Sequence, residues 1–304
     1  MSDSAAPRDA TCAPTAEAFS AWMLSLPASL AFVLMLLLPT MAAVVFSFTD
    51  YELGATALHW VGLDNFAELF ADRRFLQSLR NTLVYVGLVT PASIFGGLGL
   101  ALLIESGIRA RAFFRAVFFL PVVSLVVAMA SAWQYLLHPT IGPLNAILRA
   151  VGVTGPEWLS SSATVLLSLS AIGIWENLGF NMVLFLAGLT AIPRELYAAA
   201  EVDGAAAALD RFRLVTWPLL GPTTLFVLTI TMIRSLSRSF DLVAVLTQGG
   251  PNKASEVLLF TLYQEGFTYF RLGYAAAIAL VFLVIVVTLM TLQTRFLDRR
   301  VHYG

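Results

Sequence analysis

Charged side chains are rare in the long apolar runs of this sequence, and Glu176 is one whose surroundings suggest chemistry. It lies about 18 Å into the run 164–189, at a rise of 1.5 Å per residue. A charged side chain near the centre of a bilayer costs roughly 2.5–3.5 kcal/mol, so it should face a polar interior. Two interpretations remain open: a residue that lines a pathway for a polar solute, and a structural ion pair with Arg234. The residues grouped with Glu176 as a candidate substrate pathway are Trp175, Asn177, Asn181 and Arg234.

Two neighbouring features allow plain explanations. Trp175 is a flat ring of the kind that stacks on sugars, but a Trp within a span is more often a packing or interface residue. Arg238 and Asp241 lie closer to the end of their run, where snorkelling is a sufficient explanation for both charges.

The sequence shows no catalytic or metal-binding constellation. His59, His138 and His302 are far apart, so no metal site is expected. There is no phosphate-binding loop of the Walker type, so any ATP hydrolysis is expected on another chain. Cys12 is the one cysteine, which excludes a disulfide within the chain.

Composition decides the environment. Of the 304 residues, 59% are hydrophobic and 12% are charged. The mean hydropathy is +0.82, and a surface of this composition would be insoluble in water. A net charge of -1 provides no basic patch for nucleic acid. The chain is therefore expected to be an integral membrane protein.

Long uncharged or nearly uncharged runs predict an all-α fold with six transmembrane helices, because about 20 apolar residues suffice to cross a bilayer. Between a disordered cytoplasmic tail at 1–20 and a cytoplasmic tail at 297–304, residues 21–296 form the predicted membrane domain. The predicted spans are 21–48, 81–104, 113–137, 164–189, 219–246 and 272–295. In the second span, Gly96, Gly97 and Gly99 favour close helix packing.

The distribution of basic residues favours a cytoplasmic amino terminus. That orientation places the larger share of Arg and Lys in the cytoplasm, including Arg109, Arg111 and Arg115 between the second and third spans. With six spans, both termini are expected on the cytoplasmic side.

The stretch 191–220 is a charged interval of helical character between two apolar runs. Ala, Leu and Glu favour helix on both sides of Gly204, which permits a break, so the stretch predicts helix, bend, helix. Leu209, Phe212 and Val215 recur every third residue and predict an apolar edge that docks on a partner protein. An ordinary helix at the membrane surface is the alternative.

This stretch resembles the cytoplasmic coupling loop, or EAA loop, of permease subunits in bacterial type I ABC importers. Tyr197 and the run Ala199 to Gly204 match that pattern, and RFRLVTWP at 211–218 resembles its end. Ala198 stands where the first Glu is usual, Trp217 replaces a Leu, and the spacing is one residue longer. The resemblance implies an ATPase-coupling role for Tyr197, Ala199, Ala200, Glu201, Asp203, Gly204, Leu209, Arg211, Phe212 and Arg213.

Further segments resemble the carbohydrate-uptake branch of these permeases, close to sugar and glycerol-3-phosphate subunits. They include WENLGFNMVLFLAGLTAIP at 175–193, SFDLVAVLTQGGP at 239–251 and LYQEGF at 262–267. The resemblance implies a transport subunit with no cofactor of its own. Its expected partners are a second, different permease, two ATPase subunits that hold ATP and Mg²⁺, and a solute-binding protein outside the membrane. Contact with that binding protein is expected at Gly249, Gly250, Pro251 and Asn252.

Two other classes of protein were weighed from the sequence. A secondary transporter driven by an ion gradient would be expected to show internal repeats, and none is convincing here. An intramembrane enzyme would be expected to show paired catalytic groups at membrane depth, and Glu176 has no His or Cys partner there.

Overall fold

A computed structural model of the protein describes residues 14–107, 110–205 and 207–298. The tails were predicted at 1–20 and 297–304. Residues 1–13 and 299–304, together with Arg109, lie outside the described residues, whereas 14–20 and 297–298 are helical, so the prediction of disorder does not hold for 14–20.

The described chain is almost entirely helical, with one isolated bridge between Thr49 and Trp60. Helix α1 comprises Pro14–Phe32 and Leu38–Phe46, joined by the π-helical turn Val33–Leu37. The next helices are α2 (Asp64–Ala71), α3 (Arg73–Glu105), α4 (Arg111–Val123), α5 (Val126–Leu136), α6 (Pro143–Ala150), α7 (Val165–Thr190) and α8 (Arg194–Val202). Then follow α9 (Ala208–Leu219), α10 (Gly221–Leu246), α11 (Leu258–Tyr263) and α12 (Leu272–Asp298).

Within the described residues, four helices are long and apolar enough to cross a membrane, or up to six if each of two bent pairs is one span. The four are Ala21–Phe46, Arg73–Glu105, Val165–Thr190 and Leu272–Arg295. Helix α3 begins ahead of the predicted span at 81–104, because Asp72 caps it by accepting a hydrogen bond from the backbone N–H of Arg74 at 2.8 Å.

The predicted third span is not a straight helix, and a bend precedes the helix of the fifth. Helices α4 and α5 meet at 104°, because Ser124 and Leu125 are extended just after Pro121, whose ring weakens the last turn of α4. Helices α9 and α10 meet at 67°, so the helix that corresponds to the fifth span begins at Gly221 rather than 219. The predicted third span at 113–137 therefore corresponds to the bent pair α4 and α5.

The core centres on the pair α3 and α7. A side chain at Gly97 would come within 2.6 Å of Asn181 Cβ, and one at Gly96 would overlap Leu178. These two glycines allow close approach of the helices, as predicted, whereas Gly99 faces open space. The start of α3 at 72–81 and the segments 137–160 and 247–271 gather at one end of the bundle, here called the Arg74 end. Residues 105–107, 110–111, 190–205 and 207–220 gather at the other, the Tyr197 end.

Candidate functional site

The bend between α8 and α9 is built as a helix stop. Gly204 has φ of +97°, its N–H donates to Glu201 O, and the N–H of Ala205 donates to Ala200 O at 2.9 Å. This pair of hydrogen bonds satisfies backbone carbonyls at the end of α8. It requires a residue whose backbone adopts the left-handed conformation. A Cβ at Gly204 would meet nothing within 4 Å, so the backbone angle, and not crowding, requires glycine. The predicted helix, bend and helix are present.

Contacts across the bend hold α8 and α9 together. Glu201 and Arg211 form an ion pair, and the hydroxyl of Tyr197 lies 3.0 Å from Thr216 Oγ1. Tyr197, Ala200 and Phe212 also pack against a buried cluster that contains Val215, from the same loop, and Leu220. The segment formed by α8, the bend and α9 is here called the loop. Its inner face is therefore fixed to the helical core.

The outer face of the loop presents large apolar side chains to the surroundings. Val202 is the most exposed, at 88%. We define the loop surface as Leu196, Val202, Leu209, Leu214 and Trp217. Ala199, Asp203 and Arg213 are exposed beside it. Sequence reasoning missed Leu196, Val202 and Leu214, because isolated apolar residues in a short helix give no clear period.

The predicted apolar edge Leu209, Phe212 and Val215 is divided by the structure. Leu209 is exposed, Phe212 is half-buried, and Val215 is buried in the core cluster. Residues Phe212–Thr216 form a π-helical turn, which changes the direction in which each third residue points. Val215 is thus a core residue and cannot dock on a partner.

Glu176 is 1% exposed and lies between helices rather than on an open surface. Its Oε1 is 2.9 Å from Nε of Arg238, and Arg238 also contacts Asp241 at 3.2 Å. The ion-pair interpretation of Glu176 named Arg234, and that choice of partner was wrong, because the structure pairs Glu176 with Arg238. Snorkelling is therefore not a sufficient explanation for Arg238. The N–H bond at Nε of Arg238 does not point at Glu176 Oε1 with hydrogen-bond geometry. Neither oxygen of Glu176 therefore accepts a hydrogen bond from a described residue.

Asn177 and Asn181 continue this polar seam between α7 and α10. Asn181 donates to Ser93 Oγ at 3.3 Å and accepts from Thr231 Oγ1 at 2.7 Å. Asn177 donates to Gly173 O at 2.8 Å and accepts from Nε of Arg234 at 3.3 Å. Both asparagines are buried, and with Glu176 they contact neighbouring helices.

The partly exposed groups of the seam lie on α10. The guanidinium of Arg234 lies 4.2 Å from the centre of the Phe180 ring and makes no salt bridge to a described carboxylate. Arg234, Arg238 and Asp241 are all half-buried and form a charged strip along α10. Trp175 is exposed and packs edge-on against Trp133, with ring centres 5.4 Å apart. Of the predicted pathway residues, Trp175 and Arg234 therefore retain open surface.

At the Arg74 end, Gly249 to Asn252 form a tight loop. Gly249 has φ of +84° and is buried, and a Cβ there would come within 3.2 Å of the Phe260 ring. Gly250 and Pro251 are half-buried and border a cleft of about 580 Å³, while Asn252 is exposed. Three of the four predicted contact residues are therefore accessible, and Gly249 shapes the loop from within.

Comparison with known proteins places these features in a family. Residues 66–303 match the family described as binding-protein-dependent transport system inner membrane component. An sn-glycerol-3-phosphate transport system permease protein of Agrobacterium fabrum is 34% identical over 81% of this chain and 83% of that protein. A probable ABC transporter permease of Bacillus subtilis is 35% identical over 88% of this chain and 92% of that protein.

The fold has a close counterpart among solved structures. A bacterial ABC transporter involved in the import of the acidic polysaccharide alginate contains a chain that superposes with a TM-score of 0.81, at 23% identity. The match covers 93% of this chain and 96% of the other. Members of the family are transport subunits, not enzymes, and their ATPase is a separate chain. The chain therefore belongs to the inner-membrane permeases of binding-protein-dependent ABC transport systems.

Proposed function

We propose that this chain forms half of the translocation pathway of an ATP-driven importer. A second, different permease completes the pathway, and two ATPase subunits bind ATP and Mg²⁺ and hydrolyse the ATP. The proposal rests on the loop surface, whose five apolar side chains are exposed at one end of the bundle. Large apolar side chains that stay exposed on a loop rich in charge support a site of protein contact.

The loop is suited to transmit motion as well as to bind. Tyr197 and Phe212 fix its inner face to the core that α3 and α7 share, so displacement of the loop displaces the helices. An ATPase dimer that closes on ATP would move such a loop as a rigid body. Leu209 and Val202 would then fill an apolar groove of the ATPase, as helix-in-groove contacts do.

The charged strip on α10 supports a pathway between this chain and a second permease. Arg234, Arg238 and Asp241 are partly exposed about halfway along or beyond the middle of α10. Charges at that depth are costly against lipid, so they should face a partner or a water-filled space. Glu176 and the two asparagines support this strip from behind by fixing α7 to α10.

The proposed solute is a sugar, a polyol or a glycerol-phosphate-type molecule. The Agrobacterium relative is an sn-glycerol-3-phosphate permease, and the superposed transporter imports alginate. Arg234 offers a planar set of donors that suits phosphate or carboxylate oxygens, and the exposed ring of Trp175 suits the face of a sugar.

In this proposal the Tyr197 end and both termini face the cytoplasm. The larger share of basic residues then lies inside, as the positive-inside rule favours. The Arg74 end faces outward, where Gly250, Pro251 and Asn252 contact a solute-binding protein.

Reconstitution of the complete importer in proteoliposomes tests the proposal. We expect uptake that needs external binding protein and ATP, and that survives ionophores which collapse proton and sodium gradients. Val202→Asp should release the ATPase or abolish uptake, because it places a charge in the apolar contact. Val151→Asp, at an exposed apolar site at the Arg74 end, is the control for ATPase release and should retain the ATPase. Uptake that does not require ATP and that stops when the ionophores are added would overturn the proposal.

A further inference from the structure

Arg74, at the start of α3, is the centre of a buried charged cluster. Its Nε lies 2.6 Å from Glu256 Oε1, its Nη1 lies 3.0 Å from Glu265 Oε1, and its Nη2 donates to Gln264. The side chains of Arg74, Glu256 and Glu265 are 13%, 3% and 7% exposed. One guanidinium therefore holds three side chains that lie more than half the chain away in sequence.

The cluster joins separate elements at the Arg74 end. Glu256 ends the loop that begins with Gly249, while Gln264 and Glu265 belong to the π-helical turn after α11. Arg271, just before α12, contacts Glu265 at 3.5 Å and Glu68 of α2 at 2.6 Å. The loop is thus connected through charges to α2, α3 and the start of α12.

A second set of bonds fixes the same loop to α3. The Asn81 side-chain amide lies within hydrogen-bond distance of the carbonyls of Lys253, Ala254 and Glu256, at 3.3, 3.1 and 2.9 Å. Thr82 Oγ1 accepts from the N–H of Leu258 at 2.8 Å. Only the tip of the loop, at Asn252 and Lys253, is exposed between Gly249 and Leu258.

Stability alone gives little reason for such a cluster. A buried ion pair is often no more stabilising than apolar side chains of the same volume, because desolvation offsets the attraction. A guanidinium that binds two carboxylates and an amide instead fixes the relative positions of the elements that carry them. Residue type and geometry together therefore indicate a positional role.

We propose that Arg74 is a positioning residue for the docking of the solute-binding protein. It holds the loop 249–256 in a fixed relation to α3 and α12, so that the docked protein acts on the helices and not on a free loop. This inference rests on the proposed function, which assigns the loop tip to the binding protein. A loop released from Arg74 would bind more weakly, because docking would first have to order it.

The test measures ATP hydrolysis by the complete importer in nanodiscs, as a function of the concentration of its solute-loaded binding protein. In Arg74→Gln the half-saturating concentration should rise by about fivefold or more, within the range of about 5–150-fold typical of coupling between sites. Arg74→Lys should lie between Arg74→Gln and the unaltered chain, because lysine keeps the charge without the planar fork. Arg73→Gln, at the exposed neighbouring arginine, is the matched control.

Two results would overturn the inference. One is a half-saturating concentration in Arg74→Gln equal to that of the control. The other is a lower unstimulated rate with unchanged half-saturation, since that indicates general damage. If Arg74→Gln fails to assemble, Glu256→Gln gives the same decision, because it keeps the shape of the side chain that contacts Thr261. If the unaltered importer shows no stimulation by its binding protein, the proposed function fails instead.

Discussion

Arg238 Nε lies 2.9 Å from Glu176 Oε1, and this contact joins α10 to α7 at membrane depth. Arg238 also holds Asp241 of its own helix, so two carboxylates share one guanidinium. Arg234, one turn earlier, contacts an amide and an aromatic ring. The two arginines on one face of α10 therefore have different tasks: Arg238 neutralises a buried carboxylate, and Arg234 remains available to a further anionic group.

The first prediction concerns the stability of this seam. Arg238→Gln should destabilise the chain by about 3–5 kcal/mol, because it leaves the carboxylate of Glu176 buried without its partner. Arg234→Gln should cost less, since no described carboxylate depends on it for a salt bridge. Thermal unfolding of the purified importer in detergent compares the two variants.

The double variant Glu176→Gln with Arg238→Gln is the control for this prediction. It removes both charges and should recover most of the lost melting temperature. The pairing seen in the structure would be contradicted if Arg234→Gln were the more destabilising single variant and Glu176→Gln recovered that loss instead.

The second prediction concerns Asn181, which bonds α3 through Ser93 and α10 through Thr231. Asn181→Leu should lower stability by about 1–3 kcal/mol, because the buried hydroxyl of Thr231 loses its acceptor. Ser237→Ala, on the exposed side of α10, should change little. Equal melting temperatures for the two variants would show that the seam contributes nothing to stability.

The sequence predicts the membrane class and most helices well, because each long apolar run must bury its backbone polar groups in a helix. It does not predict the break at Ser124 and Leu125. Pro121 lies inside an apolar run, and such a proline is compatible with both a gentle kink and a full break.

The partner of Glu176 is a similar case. Arg234 and Arg238 differ by four residues, so they lie on the same face of one helix and periodicity cannot distinguish them. The choice depends on the register between α7 and α10, which side-chain packing sets. The Arg74 cluster was also missed, because Glu256 and Glu265 are remote in sequence from Arg74, and the resemblance of LYQEGF at 262–267 assigns Glu265 no partner.

The third prediction concerns the ion pair between Glu201 and Arg211 across the bend. Glu201 is mostly exposed, and exposed pairs contribute about 0–1 kcal/mol, so Glu201→Gln should leave the melting temperature nearly unchanged. If the loop binds the ATPase, the same variant should reduce ATPase co-purification or coupled transport, since the loop loses a charge at its contact surface. A fall in melting temperature large enough to account for the lost transport would instead assign the pair a structural role.

The fourth prediction concerns Gly204, whose φ of +97° ends α8. Gly204→Val should strain the bend by about 1–3 kcal/mol, because a β-branched residue avoids positive φ even where space is free. Gly204→Asn should be milder, since Asn adopts positive φ more readily. Because the loop is fixed to the core at Tyr197 and Phe212, the strain should redirect the loop surface rather than unfold the spans. We therefore expect both variants to insert into the membrane. Transport should be lowest in Gly204→Val, intermediate in Gly204→Asn and highest in the unaltered chain. Gly99→Ala, in a helix with open space and ordinary φ, is the matched control and should transport normally. Uptake by Gly204→Val equal to that of Gly99→Ala would show that the angle of the bend is irrelevant to coupling.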